Sequence, residues 1–259
     1  MAVHGGVERA WVQILSTRKK PALTPRAKKV RHAMAQGNQH RGFNEWERVI
    51  ACDEFRIDTN PAVLNERVLR RPGEEYHPDC VHDERFSGRE GVSFWGAFCG
   101  EHHTPLLEIP LGVKMDSAGY VTEILEPHLW PFYVMTERYG EVALLEDNAP
   151  GHMKFATKWR IRNGINTVAH SPASPDLNYS ENIWSPAKAD FTRQFCLRTG
   201  PSRVQRWEVV EWAHERYDQI ANPELLIKLV ESMPRRIQAV IDVEVHTYCT
   251  ETMVDDGSP

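Results

Sequence analysis

EVALLEDNAPGHMKFATKWRIRNGINTV (141–168) changes its hydrophobic rhythm twice. Val142 to Leu145 is a short apolar run that reads as a buried strand. Met153 to Asn163 takes up helical spacing, and Ile165 to Val168 returns to a strand. A strand, a helix and a strand in so short a stretch read as part of a sheet with helical crossovers. Asp147 stands just past the first strand, at the carboxyl end where functional groups gather in such sheets.

The same reading extends outward. Arg48 to Ile57 (RVIACDEFRI) and Gly91 to Cys99 (GVSFWGAFC) are apolar runs that predict buried strands, with Leu106 to Leu111 a third and Asn65 to Arg71 an extra pair. Tyr120 to Tyr139 carries Val121, Ile124, Leu125, His128, Leu129 and Phe132 at helical spacing, and Asn178 to Phe195 is a further helix. Two helical stripes follow, one from Trp207 to Ala221 and one from Leu226 to Val240. Pro234 is expected to break or bend the second near Ser232. The order β-β-β-α-β-α-β-α with helices appended predicts an α/β fold. Residues 1–45 read as a basic arm with a helix around Val7 to Leu15 and another from Thr24. Residues 46–245 form the main domain and 246–259 a flexible tail.

At 259 residues, 41% hydrophobic and 26% charged, the composition is that of an ordinary globular chain able to bury a full core. No apolar run approaches a membrane span of roughly 18 residues, and no secretion signal opens the chain, so an intracellular protein with no membrane partner is expected. The five cysteines are scattered without a C-x-x-C pair, which argues against a disulfide framework. The net charge of −5 conceals an asymmetry. Residues 1–31 carry eight Lys and Arg against the single acid Glu8, a surplus of seven that leaves the remainder at −12. Such an arm is either a polyanion contact, through Arg18, Lys19, Lys20, Lys28 and Lys29, or a solvated linker.

Three acids suit chemistry: Asp53, read at a strand end after Val49 to Cys52, Asp147, at the strand end after Val142 to Leu145, and Glu181 at the start of a predicted helix. Carboxylates brought together repel unless cations neutralise them, so such a cluster implies Mg²⁺ or Mn²⁺ and two-metal phosphoryl transfer. Each acid has a plainer reading. Asp147 begins the turn Asp-Asn-Ala-Pro, Glu181 stands at capping-box distance from Asn178, and Glu54 is as eligible as Asp53.

The phrases VIACDEFRI (49–57), RRPGEEYHPDC (70–80), SFWGAF (93–98), LLEDNAPGH (144–152), SPDLNYSENIW (174–184) and SMPRRIQAVI (232–241) together resemble the DDE transposases of the mariner superfamily, fungal members above all. The resemblance runs in order from about Lys20 to Ile241. It implies an RNase H-like fold, a mixed β-sheet flanked by helices with extra C-terminal helices. It assigns Asp53, Asp147 and Glu181 as catalytic metal ligands for two Mg²⁺ or Mn²⁺ ions, with no small organic cofactor. It gives Asn148 and His152 a supporting role beside them. The implied activity is cleavage and strand transfer of DNA at transposon ends by a homodimer or synaptic complex in the nucleus, where Thr17 to Arg31 would serve as an import signal. A different class stays open: a catalytically inactive, truncated or domesticated remnant acting as a DNA-binding or interaction module.

The chain departs from the family pattern around the third acid. There are 33 residues between Asp147 and Glu181, one fewer than usual. Tyr179 and Ser180 stand where Pro-Ile is common, and Pro186 falls inside the expected helix, where it should introduce a kink costing about 3 kcal/mol. Only about 45 residues precede the first strand, against about a hundred in the family's end-recognition region. His77, Cys80, His82, Cys99, His102 and His103 offer a rival zinc set, in a spacing that matches no familiar finger.

Overall fold

The computed structural model describes residues 24–59, 91–111, 115–147, 149, 153–171, 174–195 and 204–252, the last ten as backbone. The expected helix at Val7 to Leu15, the strand pair at Asn65 to Arg71, and His77, Cys80 and His82 lie outside the described residues.

Six strands form one mixed sheet: β1 (Val49–Asp58), β2 (Gly91–Cys99), β3 (His102–His103), β4 (Leu107–Ile109), β5 (Ala143–Leu145) and β6 (Asn166–Thr167). The order is β3-β2-β1-β5-β6, with β4 also on the outer edge of β2. β1 to β4 pair antiparallel; β5 and β6 run parallel to β1 and to each other. The long central pair is the part with continuous apolar sequence, because a strand covered on both faces needs no polar alternation.

Alternation along β1 separates two cores. Val49, Ala51, Phe55 and Ile57 join Phe94 and Phe98 of β2 beneath the C-terminal helices, while Ile50 and Cys52 join Trp95 and Ala97 on the other side. The first face is covered by α6 (Glu181–Phe195), α7 (Arg206–Ile220) and α8 (Pro223–Thr252). Trp184 of α6 stacks on Phe55 at 4.2 Å between ring centroids. The second face is covered by a helical run made of α3 (Ser117–Tyr120), a π-helical stretch (Val121–Leu129) and α4 (Trp130–Glu137), followed by α5 (Phe155–Arg162). The widened stretch contains Pro127, which has no N–H to donate; the i→i+5 bond from Trp130 N–H to the Leu125 carbonyl marks its end.

Near the N-terminus, α1 (Pro25–Asn38) is capped by Thr24, whose hydroxyl accepts from the Ala27 N–H at 3.2 Å, and α2 (Phe43–Trp46) leads into β1. Met34 and Ala35 of α1 enter the first core, so this part of the basic arm is packed on the body. Of the break or bend expected near Ser232, the break does not occur: α8 remains helical through Pro234, with Leu226, Val230, Met233 and Ile237 buried on one stripe that offsets the lost backbone bond. No helix among the described residues is long and apolar enough to cross a membrane.

Candidate functional site

β1 and β5 bring two acids together by register. Ala51 pairs with Leu145 across the parallel seam, so Asp53 and Asp147 each lie two residues further along adjacent chains and share a face. This corrects the placement of Asp53 at a strand end: β1 continues to Asp58 because β2 still pairs with it, and it is β5 that has ended at this level. Opposite Asp53 in β2 stands Gly96, where a Cβ would come within 2.8 Å of the Tyr217 hydroxyl and 3.0 Å of the Trp184 ring. The glycine lets α6 and α7 close over the sheet beside the acid.

Glu181 is the first residue of α6, which starts three residues later than the sequence spacing predicts. Asn178 does not cap it through a reciprocal box; its Oδ1 is taken by the Ser180 hydroxyl at 2.7 Å and the Ser180 N–H at 3.3 Å. The unusual residues before Glu181 are anchors. Tyr179 is fully buried, with its hydroxyl 2.7 Å from the Val49 carbonyl and 3.0 Å from that of Phe98. The preceding 3₁₀ turn (Pro175–Leu177) is clamped from two sides. Arg31 of α1 makes a two-pronged contact with Asp176, at 2.8 and 2.5 Å. Arg236 of α8 donates to the Asp176 carbonyl and to Asn182 Oδ1. The arginine pair holds the Asp176 carboxyl below the usual range despite its burial. Pro186 stays within α6 and the helix continues to Phe195.

The electrostatics tie the three acids together. Asp53 is 8% exposed, and its pKa is pushed up to about 8 by burial first, then by the negative charges of Glu181, Glu54 and Asp147. Hydrogen bonding from the Glu54 N–H to Asp53 Oδ1 at 2.8 Å opposes the rise. Asp147 accepts from the Ala149 N–H at 2.9 Å, the local turn bond its sequence predicts, so the plainer reading of this acid also holds. Among the described residues no three His, Cys, Asp or Glu side chains are gathered closely enough to grip a metal ion. The donor set is nonetheless of the right kind: three hard carboxylates, one made to hold its proton by burial first and then by neighbouring negative charge.

Sequence reasoning missed His170, just past β6. Burial lowers its pKa, and the charge of Asp147 acts in the opposite direction, which puts this ring near the second acid. Its position ahead of SPASPDLN, in the loop leading to Glu181, was the available signal.

The neighbouring acids face the other way. Glu146 is buried on the α5 side of the sheet, where the Arg160 guanidinium contacts it at 2.5 Å and the Tyr120 hydroxyl donates to it at 2.7 Å. Burial and the Glu146 charge raise the pKa values of Cys52 and Tyr120 well above normal, with Glu54 contributing in the same direction. Of the other sequence candidates, Lys28 and Lys29 are exposed on α1, while Arg18, Lys19, Lys20, Asn148 and His152 lie outside the described residues. Of the described zinc candidates, the buried Cys99 thiol donates to the Glu47 carbonyl and the His103 ring packs edge-on against Tyr217 at 4.9 Å.

No family model matches the chain. It is 28% identical over 231 residues to the transposable element Tc1 transposase of Caenorhabditis elegans, covering 86% of this chain and 78% of that protein. It is 27% identical over 233 residues to the Tcb2 transposase of Caenorhabditis briggsae, covering 87% and 79%. The catalytic domain of the Mos1 mariner transposase has the same fold, with a TM-score of 0.62 at 14% identity over 87% of this chain and 97% of that one. The Mos1 strand transfer complex gives 0.63 at 16% identity, over 90% of this chain and 66% of the Mos1 chain. A Mos1 paired-end complex solved with Mn gives 0.63, also at 16%. The mixed sheet with flanking helices is thus the RNase H-like fold expected from the sequence.

Proposed function

The chain is a homologue of the Tc1/mariner transposases, and from that premise we propose that Asp53, Asp147 and Glu181 are the catalytic centre of a DNA strand-cleaving and strand-joining enzyme that works with Mg²⁺ or Mn²⁺. The observation that carries this reading is the register of β1 and β5, which sets Asp53 and Asp147 side by side, with Glu181 the charge that acts most strongly on Asp53. These three carboxylates would hold two divalent cations, which when bound supply an activated water or 3′-hydroxyl and stabilise the charge on the attacking and leaving oxygens. The protein's own groups prepare the centre. Asp147 and Glu181 hold negative potential at the seam, and Asp53 sheds the proton that burial and repulsion keep on it to about pH 8. Tyr179, Arg31 and Arg236 keep the start of α6 in place.

The Mos1 complexes contain transposon ends, and some were solved with Mn or Mg, which supports DNA and a divalent cation as partners here. A paired-end assembly of two copies and a nuclear location signalled by Thr17 to Arg31 belong to the same proposal. A second reading is a non-catalytic descendant. The absence, among the described residues, of three side chains gathered tightly enough for a metal favours it.

Nicking of supercoiled plasmid in Mn²⁺ or Mg²⁺ separates the two. Wild-type nicking that Asp147→Ala removes supports the enzyme. Equal behaviour of the two folded proteins, together with no Mn²⁺ uptake by calorimetry, leaves the remnant.

A further inference from the structure

The helix that follows Asp147 presents a face that the catalytic reading does not use. Lys154, Phe155, Lys158, Ile161 and Arg162 are all exposed, and their spacing places them on one side of α5. Ala156 and Arg160, on the opposite side, are buried against the sheet. The segment FATKWRIR contains no acid, although residues 32–259 together carry a charge of −12. Phe155 and Ile161 are 59% and 74% exposed, and the Lys158 ammonium stands 6.0 Å from the centre of the Phe155 ring. Lys154, at the head of the helix, has φ 53°, a backbone conformation that favours glycine.

This face is fixed relative to the acids. Arg160 ties α5 to Glu146, the residue before Asp147, and the Ala156 N–H donates to Ser117 Oγ at 3.0 Å. Because β5 and β6 are parallel neighbours, α5 runs back between their ends, so Lys154 and Phe155 lie at the edge of the sheet where Asp147 sits. Lys158 and Arg162 then recede in steps of about 6 Å along the helix. Cations at regular steps with an exposed aromatic at the near end are the combination that holds a single nucleic acid strand: phosphates against the cations, a base against the ring.

We propose that the exposed face of α5 binds the unpaired strand of a frayed or cleaved DNA end, with Lys154, Lys158 and Arg162 on its phosphates and Phe155 stacked on a base. This rests on the DNA-processing reading above and names how that centre receives its substrate.

Fluorescence anisotropy of the full chain, in Ca²⁺ to suppress cleavage, tests it with a blunt duplex and the same duplex bearing a four-nucleotide unpaired extension. Wild type binds the extended duplex more tightly. Phe155→Ala weakens that binding about 5- to 100-fold and leaves the blunt duplex unchanged. Lys158→Gln combined with Arg162→Gln lowers the slope of log affinity against log salt by about 1.5. Failure of wild type to bind, equal affinity for the two duplexes, or variants that behave as wild type overturns the inference. So does a fall in the sedimentation mass of Phe155→Ala, which would make this face a contact between two copies. If wild type never nicks plasmid while the α5 variants still lose binding, only the catalytic reading falls; if it nicks and they bind normally, only this inference does.

Discussion

The seam between β1 and β5 carries two adjacent acids on each chain, Asp53 with Glu54 and Glu146 with Asp147, and alternation sends them to opposite faces. On the α5 face Glu146 is matched by a buried arginine and a tyrosine hydroxyl. On the α6 face burial, and then the charges of Glu181, Glu54 and Asp147, raise the pKa of Asp53 to about 8. The residue types are the same; the difference lies in the recorded neighbours, an arginine for Glu146 and other acids for Asp53. An acid with its own arginine holds the fold together, whereas acids that repel one another are where the proposed divalent cation would bind.

That contrast can be broken first on the paired side. Glu146→Ala strands the Arg160 charge in the interior and is expected to lower stability by about 3–5 kcal/mol, read from denaturant unfolding. Replacing both partners with apolar residues, Glu146→Leu with Arg160→Met, should recover most of the loss. A double variant as unstable as the single one would remove the argument that the ion pair is structural.

On the other face the expected effect is on chemistry. Asp147→Ala should reduce metal-dependent nicking by more than about 100-fold while leaving the melting temperature within a few degrees, since ligands carry function where the paired acid carries the fold. Gly96→Ala tests the closeness of the helices over the site. The added methyl meets Tyr217 and Trp184, and a destabilisation of about 1–3 kcal/mol is expected from the forced shift.

The smallest effect has the opposite sign. Asp53 holds its proton to about pH 8 in the folded chain and to 3.8 in the unfolded one, so the stability it contributes is full below about pH 4 and is lost as pH rises through 8. Metal-free melting temperature should therefore decline across that window. Asp53→Asn should flatten the decline and raise the value at pH 8 by about 2–4 °C. A decline as steep in Asp53→Asn as in wild type would assign it to another group.

Much of this was legible in the sequence because the signals are local. β1 and β2 announce themselves as unbroken apolar runs, and their observed ends lie within a residue of those expected. The helix over Tyr120 to Tyr139 was legible as a helix; its π-helical middle was not, because pairing around Pro127 depends on how Ile124, Leu125 and Leu129 seat against the sheet. β3, only two residues long, exists through its pairing with Phe98 and Cys99. Pro234 carries a strong local signal for interruption, and the burial of one helical stripe overrides it. Arg31 counts as one more charge of a basic arm in the sequence, and in the fold it is the clamp on Asp176.

The sequence by itself determined the order of elements, the apolar centre of the sheet and the three acids as candidates, since periodicity and residue chemistry are properties of neighbours along the chain. It could not choose between Asp53 and Glu54, or say that Glu146 is the acid that meets Arg160. Those outcomes depend on which face each strand turns toward α6 and which toward Arg160, a relation between segments far apart in sequence that only packing decides.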